Sequence, residues 1–455
     1  MRTYDLIVLG AGSGNMLLGP DFDHLKTAIV EPDRFGGTCL NRGCIPSKMF
    51  VVAADSARAV GQAGKLGVHA TVDRVDWPGI RDRVFGRIDP LHEQAVAHRR
   101  KNGVDVYTEP ARFVAPKVLE VGTERLTGEQ IVVAAGSRPV VPPIPGLDSV
   151  PFHTSDTIMR VDAVPESLIV IGGGFIAAEM GHVFEAFGAR VTVVQHGPRL
   201  LMAEDEEISR RFTELTAERF RLLLGTEATQ VQATDTGVAV TVEREGTREV
   251  VEASTLLVAV GRRPNTDRLE VTAGGLDVDG HGHLLADDAY RTSVPGVWAF
   301  GDIANHFQLK HMANAEGRTV AHNLLHPDDL RRLRPALVPH AVFSDPQVAG
   351  VGLTEQDAVR RGIEHVVATR RYADTAYGWA LEDTSSFVKL IADPRQRTLL
   401  GAHLIGPQAA TLIQPLLQAM TLGQTVDQLA HAVLYIHPAL TEVLEQALLE
   451  FSSAR

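Results

Sequence analysis

Short apolar runs along this chain alternate with glycine-rich turns and with longer amphipathic segments. The runs "YDLIVLG" and "SLIVIGG" are too short for helices, and each leads directly into glycines, which is typical of buried strands. After one intervening segment, each is followed by a second strand-like run, "TAIVE" and "RVTVVQ" respectively. Strands that alternate with helical segments predict βαβ units and a parallel sheet. The pattern therefore predicts an α/β fold that contains two such units.

The first glycine turn follows the strand that begins the chain. Gly10 and Gly12 allow a tight turn and a close approach of backbone to a pyrophosphate at a helix N-terminus. Glu31 ends the next strand, where a carboxylate can bind ribose hydroxyls. The third fingerprint position is Asn15 rather than glycine, and Gly19-Pro20 predicts that the intervening helix is short. We interpret this unit as a dinucleotide site, with a structural loop as the alternative.

The second glycine turn fits the dinucleotide fingerprint at three positions, which are Gly172, Gly174 and Ala177. At the end of the next strand, where NAD enzymes carry an acid, stand Gln195 and His196, followed by Arg199. A missing carboxylate with basic groups nearby favours a 2′-phosphate, and so NADPH. The alternative is that His196 and Arg199 are merely solvated. Two dinucleotide units in one chain indicate a flavin and a nicotinamide.

Charge and composition narrow the classes of function. The formal net charge of −12 and the pI of about 5.8 argue against a nucleic-acid partner and against an anionic membrane surface. No apolar run is long enough for a transmembrane helix, and no secretory segment precedes the first strand. Two cysteines in 455 residues argue against a secreted disulfide framework. We therefore expect a cytoplasmic protein.

Both cysteines lie in the stretch "FGGTCLNRGCIPSK", as Cys39 and Cys44. Residues five apart in an ideal helix have Cα atoms roughly 8–9 Å apart, whereas a disulfide needs less than about 7 Å. Gly36, Gly37, Gly43 and Pro46 supply the distortion that a bridge would need, ahead of a helix that we predict to become regular at Ser47. Thiols at a helix N-terminus have lowered pKa values. Zinc would require two more ligands at a defined spacing. We predict a redox pair and no metal site, with inert thiols as the remaining alternative.

A candidate acid–base group lies near the C-terminus, in "YIHPALTEVLEQALL". His437 precedes Pro438, which we predict to be the first residue of a helix, and Glu442 follows five residues later. Histidine suits proton transfer near neutral pH, and a carboxylate can fix its tautomer. A lone histidine near a C-terminus is usually a surface residue, but the pattern His-Pro-x-x-x-Glu favours a catalytic role here.

Five motifs, in this order along the chain, resemble those of the pyridine nucleotide–disulfide oxidoreductases, the family of glutathione reductase and lipoamide dehydrogenase. The motifs are "GGTCLNRGCIPSK", "GGGFIAAE", "VGRRPN", "GDI" and "HPALTE". The resemblance implies two Rossmann-like dinucleotide-binding domains and a C-terminal α+β dimerisation domain. The implied regions are an FAD-binding domain at 1–150, an NAD(P)-binding domain at 151–267, a central part that completes the FAD site at 268–335, and an interface domain at 336–455.

The resemblance also implies catalytic roles. Cys39 would be the interchange thiol that attacks the substrate, and Cys44 would lie against the flavin. Lys48 would lie beside flavin N5, paired with Glu179. In the family the histidine that matches His437 acts on the cysteines of the other subunit, which makes a homodimer obligatory. Glu442 would support that histidine.

Cofactor-binding residues follow from the same motifs. The residues implied for FAD are Gly10, Gly12, Gly14, Glu31, Gly37, Thr38, Gly136, Asp302, Met312 and Ala313. The residues implied for NADPH are Gly172, Gly174, Phe175, Ala177, His196, Arg199 and Gly261. Phe175 stands where glutathione reductases carry a tyrosine that gates the nicotinamide pocket. Asp302 follows a strand in "GVWAFGDI", and "QLKHMANAEGRTVAHNLL" predicts a helix after it.

Residues that the chain lacks argue against several enzymes of the family, and so against their substrates. It has no third or fourth cysteine, which argues against mercuric reductase and both kinds of thioredoxin reductase. The missing acid near Gln195 argues against lipoamide dehydrogenase. "GSGN", "VFGRIDP" and "YGWALEDTSSFVKL" are similar to the branch of the family that reduces mycothiol disulfide. Glutathione reductase and lipoamide dehydrogenase remain alternatives within the family, and a non-enzymatic flavoprotein is the rival outside it.

Overall fold

The computed structural model describes residues 1–333 and 337–453. The strands, numbered in chain order, are β1 (Arg2–Leu9), β2 (Thr27–Val30), β3 (Asp105–Tyr107), β4 (Ala111–Ala115), β5 (Val118–Val121), β6 (Glu124–Val133), β7 (Ser137–Pro139), β8 (Ser167–Ile171), β9 (Arg190–Gln195), β10 (Arg221–Leu224), β11 (Glu227–Thr234), β12 (Gly237–Arg244), β13 (Thr247–Ala253), β14 (Thr255–Val258), β15 (Arg262–Pro264), β16 (Val297–Ala299), β17 (His340–Val342), β18 (Val348–Gly352), β19 (Val366–Arg371), β20 (Phe387–Ala392) and β21 (Leu399–Ile405).

The α-helices, numbered in the same way, are α1 (Gly37–Arg42), α2 (Cys44–Gln62), α3 (Trp77–Ile88), α4 (Pro90–Lys101), α5 (Phe175–Ala186), α6 (Glu206–Ala217), α7 (Lys310–Leu325), α8 (Glu355–Arg360), α9 (Ala376–Ala380), α10 (Ala409–Leu422), α11 (Val426–Ala432) and α12 (Glu442–Ser453). Helix α7 confirms the helix predicted after Asp302. Within the described ranges, none of the helices is long and apolar enough to cross a membrane.

The first sheet has the strand order β3-β2-β1-β6-β5-β4, with β16 also paired to β6. Strands β3, β2, β1, β6 and β16 pair in parallel. Ile7 and Val8 on β1 are both fully buried, as expected for a central strand covered on both faces. The carboxyl ends of the parallel strands meet at one edge, where the glycine turn after β1 lies.

The helix predicted between β1 and β2 is wrong. The structure has two 3₁₀ turns instead, Gly14–Met16 and Pro20–Phe22. Arg99 on α4 donates to Asn15 Oδ1 at 2.7 Å, to the Asn15 carbonyl, and to the Leu18 carbonyl. An α-helix would use these two carbonyls for its own ladder, and Gly19-Pro20 cannot continue one. The dinucleotide turn therefore lacks the helix N-terminus expected there.

The second sheet confirms the predicted strand–turn–helix–strand unit. It is parallel, in the order β10-β9-β8-β14, and α5 follows the glycine turn after β8. An antiparallel meander, β11-β12-β13, packs beside it through a buried cluster that includes Val231 and Val240. Strands β7 and β15 pair antiparallel, and they lie in the two segments that connect this sheet to the first one.

The third sheet is antiparallel, in the order β17-β18-β21-β20-β19. Val388, Leu390 and Leu404 on it are fully buried against a helical layer that includes α10 and α12. These observations confirm an α/β protein with two Rossmann-like units and a C-terminal α+β domain. The predicted boundary between residues 335 and 336 lies outside the described residues.

An acidic segment, residues 204–207, attaches the second sheet to the third. Lys389 on β20 is 3% exposed, and its Nζ lies 2.9 Å from Asp205 Oδ1 and 2.6 Å from Glu355 Oε2. The Asp205 carboxylate also accepts a hydrogen bond from the Glu355 backbone at 3.0 Å. These contacts hold the segment between β9 and the first turn of α6 against the C-terminal domain.

Candidate active site

A cavity of ≈ 2160 Å³ extends from the first glycine turn past the cysteines to the β17 region. Drug-sized ligand pockets span roughly 300–1,000 Å³, so this cavity has room for a dinucleotide with a second ligand. The sequence-predicted residues that line it are Gly10, Gly12, Glu31, Gly37, Thr38, Cys39, Cys44, Lys48, Gly136, Phe175, Glu179, Asp302 and Ala313. Residues from four separate parts of the sequence therefore meet at one site.

One end of the cavity has the features of a pyrophosphate and ribose cradle. A Cβ atom on Gly37 would lie 2.8 Å from the Cα of Gly12, so only glycine lets these two backbone segments approach. The Glu31 carboxylate accepts a hydrogen bond from the Ala11 N–H at 2.8 Å, and burial raises the pKa of Glu31. Asp302 accepts a hydrogen bond from the Ser137 hydroxyl at 2.7 Å. The donor and acceptor set fits FAD.

Two residues predicted to bind FAD are packed beside the cavity and do not line it. A Cβ atom on Gly14 would lie 2.9 Å from Val8 Cγ1, so Gly14 lets the turn pack against β1. This is the packing role that the fingerprint normally gives to its third glycine. Met312 on α7 is 5% exposed, next to Ala313, which reaches the cavity.

The two cysteines lie on either side of a helix break. Cys39 is in α1, Cys44 is the first residue of α2, and Gly43 between them has φ −131° and ψ −124°. A Cβ atom on Gly43 would lie 2.9 Å from the Thr38 carbonyl oxygen. Helix α2 thus begins at Cys44, three residues earlier than the regular helix that the sequence predicted. The break provides the distortion that lets the two thiols approach.

The thiols share one hydrogen bond, and the two pKa values move in opposite directions. The hydrogen bond from Cys39, followed by the charge of Lys48, lowers the pKa of Cys44 to about 7. The same hydrogen bond, together with burial, raises the pKa of Cys39. The prediction of two acidified thiols is therefore right for Cys44 and wrong for Cys39. Cys39 is the third residue of α1, and its raised pKa favours the protonated form as the donor to Cys44.

The shared hydrogen bond can be tested in the reduced protein. We expect the rate of Cys44 alkylation by iodoacetamide to follow a pKa of about 7. In Cys39→Ala that pKa should rise toward about 8.5, because the donor is lost. In Cys39→Ser it should stay lower than in Cys39→Ala, because the hydroxyl still donates. Equal values in the two variants would contradict this assignment.

Lys48 and Glu179 form an ion pair that joins α2 to α5. Lys48 Nζ lies 2.5 Å from Glu179 Oε2, and it also lies over the Phe343 ring, 4.4 Å from its centroid. The other Glu179 oxygen accepts a hydrogen bond from the Phe343 N–H at 3.0 Å. The cation is therefore held at a fixed place on the cavity wall, in the same helix as Cys44 and one turn after it.

His437 and Glu442 form a contact that does not line this cavity within the chain. The His437 Nδ1 atom lies 2.7 Å from Glu442 Oε1, and the two side chains are 73% and 14% exposed. Helix α12 begins at Glu442, so the prediction of a helix start at Pro438 is wrong. Residues 438–441 form a turn in which Leu440 is 4% exposed. This turn brings Glu442 next to the His437 imidazole. Leu434 and Ile436, just before His437, are 98% and 75% exposed.

Comparison with known proteins assigns a family. Residues 4–317 match "Pyridine nucleotide-disulphide oxidoreductase", and residues 338–448 match the dimerisation domain of the same family. The chain belongs to the pyridine nucleotide-disulphide oxidoreductase family. It is therefore an FAD-dependent, NAD(P)H-linked oxidoreductase that acts on sulfur groups, as the sequence predicted.

Several relatives in this family match nearly end to end. The chain is 45% identical to the mycothione reductase of Mycobacterium tuberculosis, over 99% of both chains. It is 34% identical to a dihydrolipoyl dehydrogenase of Haloferax volcanii, over 97% of this chain and 95% of the relative. The solved structure of an HOCl-induced flavoprotein disulfide reductase from Escherichia coli superposes with a TM-score of 0.86 at 25% identity, covering 99% of this chain and 100% of that one.

The residues predicted for NADPH follow the carboxyl ends of strands β8, β9 and β14. Gly174 immediately precedes α5, Ala177 is buried in its first turn, and Gly261 lies before β15. His196 is exposed, and Arg199 NH1 lies 3.1 Å from Glu206 Oε1 on α6. Two basic side chains therefore follow β9, but Arg199 already has an anionic partner in the chain.

Two cations in the cavity wall were missed by the sequence reasoning. Arg262 on β15 is largely buried, and it donates to the Ser137 hydroxyl at 3.0 Å and to the Ser137 carbonyl at 2.8 Å. Lys310 at the start of α7 donates to Ser13 Oγ at 2.9 Å, and burial lowers its pKa. Both lie in quoted motifs, "VGRRPN" and "QLKHMANAEG". No local pattern shows that these two segments fold back onto the cysteine loop.

Proposed function

We propose that this chain reduces mycothiol disulfide to two mycothiol molecules, with NADPH as the reductant. The observation that carries disulfide chemistry is the thiol pair at the helix break, where the pKa of Cys44 is lowered and that of Cys39 is raised. Support for the substrate comes from the 45% identity to a mycothione reductase over 99% of both chains. The chain carries no other cysteine that could take part.

We further propose how the parts of the chain divide the work. Residues 1–150 and 268–335 would hold FAD, residues 151–267 NADPH, and residues 336–455 the dimer interface. Gly12, Gly37, Glu31 and Asp302 would contact FAD, and Lys48 would face its reactive ring. When bound, FAD would supply two-electron transfer from NADPH to the Cys39–Cys44 disulfide.

The cysteines then carry those electrons to the substrate by thiol–disulfide exchange. Cys39 loses its proton to a base and attacks one sulfur of the substrate, which forms a mixed disulfide and releases the first thiolate. His437 of the partner subunit takes the proton from Cys39 and returns it to that leaving thiolate. The Cys44 thiolate next attacks the Cys39 sulfur, which releases the second thiolate and restores the Cys39–Cys44 disulfide.

The substrate is tested by offering mycothiol disulfide and glutathione disulfide side by side to the FAD-loaded protein and following NADPH oxidation. We expect turnover of mycothiol disulfide and little of glutathione disulfide. Turnover of glutathione disulfide alone would keep the thiol chemistry and overturn the substrate. Turnover of dihydrolipoamide with NAD would favour the lipoamide dehydrogenase alternative. If no disulfide is reduced while FAD is bound, the enzymatic proposal itself fails.

The proposed preference for NADPH over NADH depends on His196 and Arg199, the basic side chains after β9. We expect His196→Ala/Arg199→Ala to raise KM for NADPH much more than KM for NADH, because only NADPH carries a 2′-phosphate. The matched control is Glu206→Gln, which removes the partner of Arg199 and should leave KM for NADPH unchanged or lower. Parallel changes for NADPH and NADH in the double variant would show that these side chains are only solvated.

A further inference from the structure

Three side chains of metal-ligating type converge on the protein at a place that the proposed chemistry does not use. They are Asp279 and His283, in the loop between the second and first sheets, and His306, four residues after Asp302. Their potential ligand atoms all lie within 4.8 Å of one another. The cluster lies beside the predicted FAD contact Asp302, and His306 also lines the cavity.

The imidazole of His283 lacks any hydrogen-bond partner among the described residues. It is 7% exposed, and both of its ring nitrogens are buried and unbonded. Leaving a buried polar group without a partner costs free energy, so most such groups in folded proteins are bonded to protein, water or an ion. A ring nitrogen of His283 is therefore free to bind a ligand at this place.

The distances in the cluster are those of a metal site rather than of hydrogen bonds. His283 Nδ1 lies 3.5 Å and His306 Nε2 lies 3.6 Å from the same atom, Asp279 Oδ2. Hydrogen bonds between nitrogen and oxygen span about 2.7–3.2 Å. A tetrahedral zinc ion with bonds of roughly 2.0–2.1 Å separates its ligand atoms by about 3.4 Å. The two distances to Asp279 match the second geometry, and the ligand atoms of His283 and His306 lie within 4.8 Å of each other.

Backbone hydrogen bonds orient the Asp279 carboxylate in this cluster. Asp279 Oδ1 accepts hydrogen bonds from the N–H groups of His281 at 2.8 Å and His283 at 2.9 Å. These bonds leave Oδ2 directed toward the two imidazoles.

We propose that Asp279, His283 and His306 bind one divalent transition-metal ion, with Zn²⁺ the best match to the donor set. Two imidazoles and one carboxylate suit zinc, and water can complete the coordination because His306 is 67% exposed. The bound ion joins the 279–283 loop to the segment after Asp302, which are already linked by a hydrogen bond from Leu284 N–H to the Ile303 carbonyl at 2.8 Å. The proposal departs from the sequence expectation of no metal site, which considered only the cysteine pair.

The test is a Zn²⁺ titration of the full-length, FAD-loaded, tag-free chain. It is done in the Cys39→Ser/Cys44→Ser background, so that thiolates do not bind zinc, and after removal of metals with a chelator. We expect one tight Zn²⁺ per chain in competition with a chromophoric chelator. Adding His306→Ala or Asp279→Asn should weaken Kd by more than the 10–100-fold that loss of an outer-shell partner costs.

The matched control is His322→Ala. His322 near the end of α7 and His326 just after that helix have ring centroids 4.6 Å apart, so they form a second histidine pair that could compete for the ion. We expect that variant to keep the tight site. Weak or absent Zn²⁺ binding in the parent, unchanged binding in His306→Ala, or loss of the site in His322→Ala would each overturn the proposal. His306 is mostly exposed, so its variant should fold, and thermal unfolding verifies this.

Discussion

Replacing Cys39 by serine is expected to lower disulfide turnover by at least about 10³-fold while the protein keeps its FAD. A serine hydroxyl at this place remains protonated and cannot form a mixed disulfide, so the covalent route is closed. Serine is nearly the same size as cysteine and can still donate to Cys44, so the helix break at Gly43 should persist. NADPH-linked disulfide reduction measures the loss, and the flavin absorbance of the purified variant reports retained FAD.

Cys44→Ser is the matched control for the division of roles between the thiols. Its Cys39 can still attack a disulfide, but no second thiolate is available to resolve the product. We expect release of one thiol equivalent and a stable adduct on Cys39, which intact-protein mass spectrometry detects. The roles of the two thiols would be reversed if the Cys39→Ser protein formed an adduct on Cys44 and the two variants had comparable turnover.

The local motifs predicted the residues of the site better than they predicted the backbone conformation around it. Cys39, Cys44 and Lys48 occur within ten residues, so their proximity follows from the sequence alone. Glu179 could be paired with Lys48 only through the family resemblance, and the structure brings them to 2.5 Å. The absence of a helix after β1 could not be predicted from the local sequence. Arg99, on a helix more than eighty residues away, donates hydrogen bonds to the carbonyls of Asn15 and Leu18.

The pKa of Cys39 also depended on structure, and it changes what the mechanism requires. The sequence suggested that both thiols lie at a helix N-terminus, and a thiolate at both positions would need no base. In the structure the hydrogen bond between the thiols and burial raise the pKa of Cys39, whereas the same hydrogen bond and the charge of Lys48 lower that of Cys44. The thiol proposed to attack the substrate is thus the protonated one. A base must take that proton, and among the proposed residues only His437 is suited to do so.

We therefore expect His437→Ala to lower disulfide turnover by about 10²–10⁴-fold, the usual contribution of general acid–base catalysis. FAD content and the alkylation profile of Cys44 should not change, because His437 does not line the cavity of its own chain. Glu442→Gln is the matched control, since the amide oxygen can still accept from Nδ1–H but carries no charge. It should cost less than His437→Ala and should shift the pH profile of turnover. An unchanged kcat in His437→Ala would make the contact with Glu442 structural.

The subunit that supplies His437 can be identified with hybrid dimers. A Cys39→Ser subunit retains His437, and a His437→Ala subunit retains both cysteines, so each homodimer should be nearly inactive. If histidine acts across the two-fold axis, a purified heterodimer contains one site with every residue intact and should recover about half of the wild-type turnover. If His437 served its own chain, both sites of the heterodimer would lack an essential residue and no activity would return. The exposed Leu434 and Ile436 beside a 73% exposed imidazole favour the first outcome, because a partner surface would cover them.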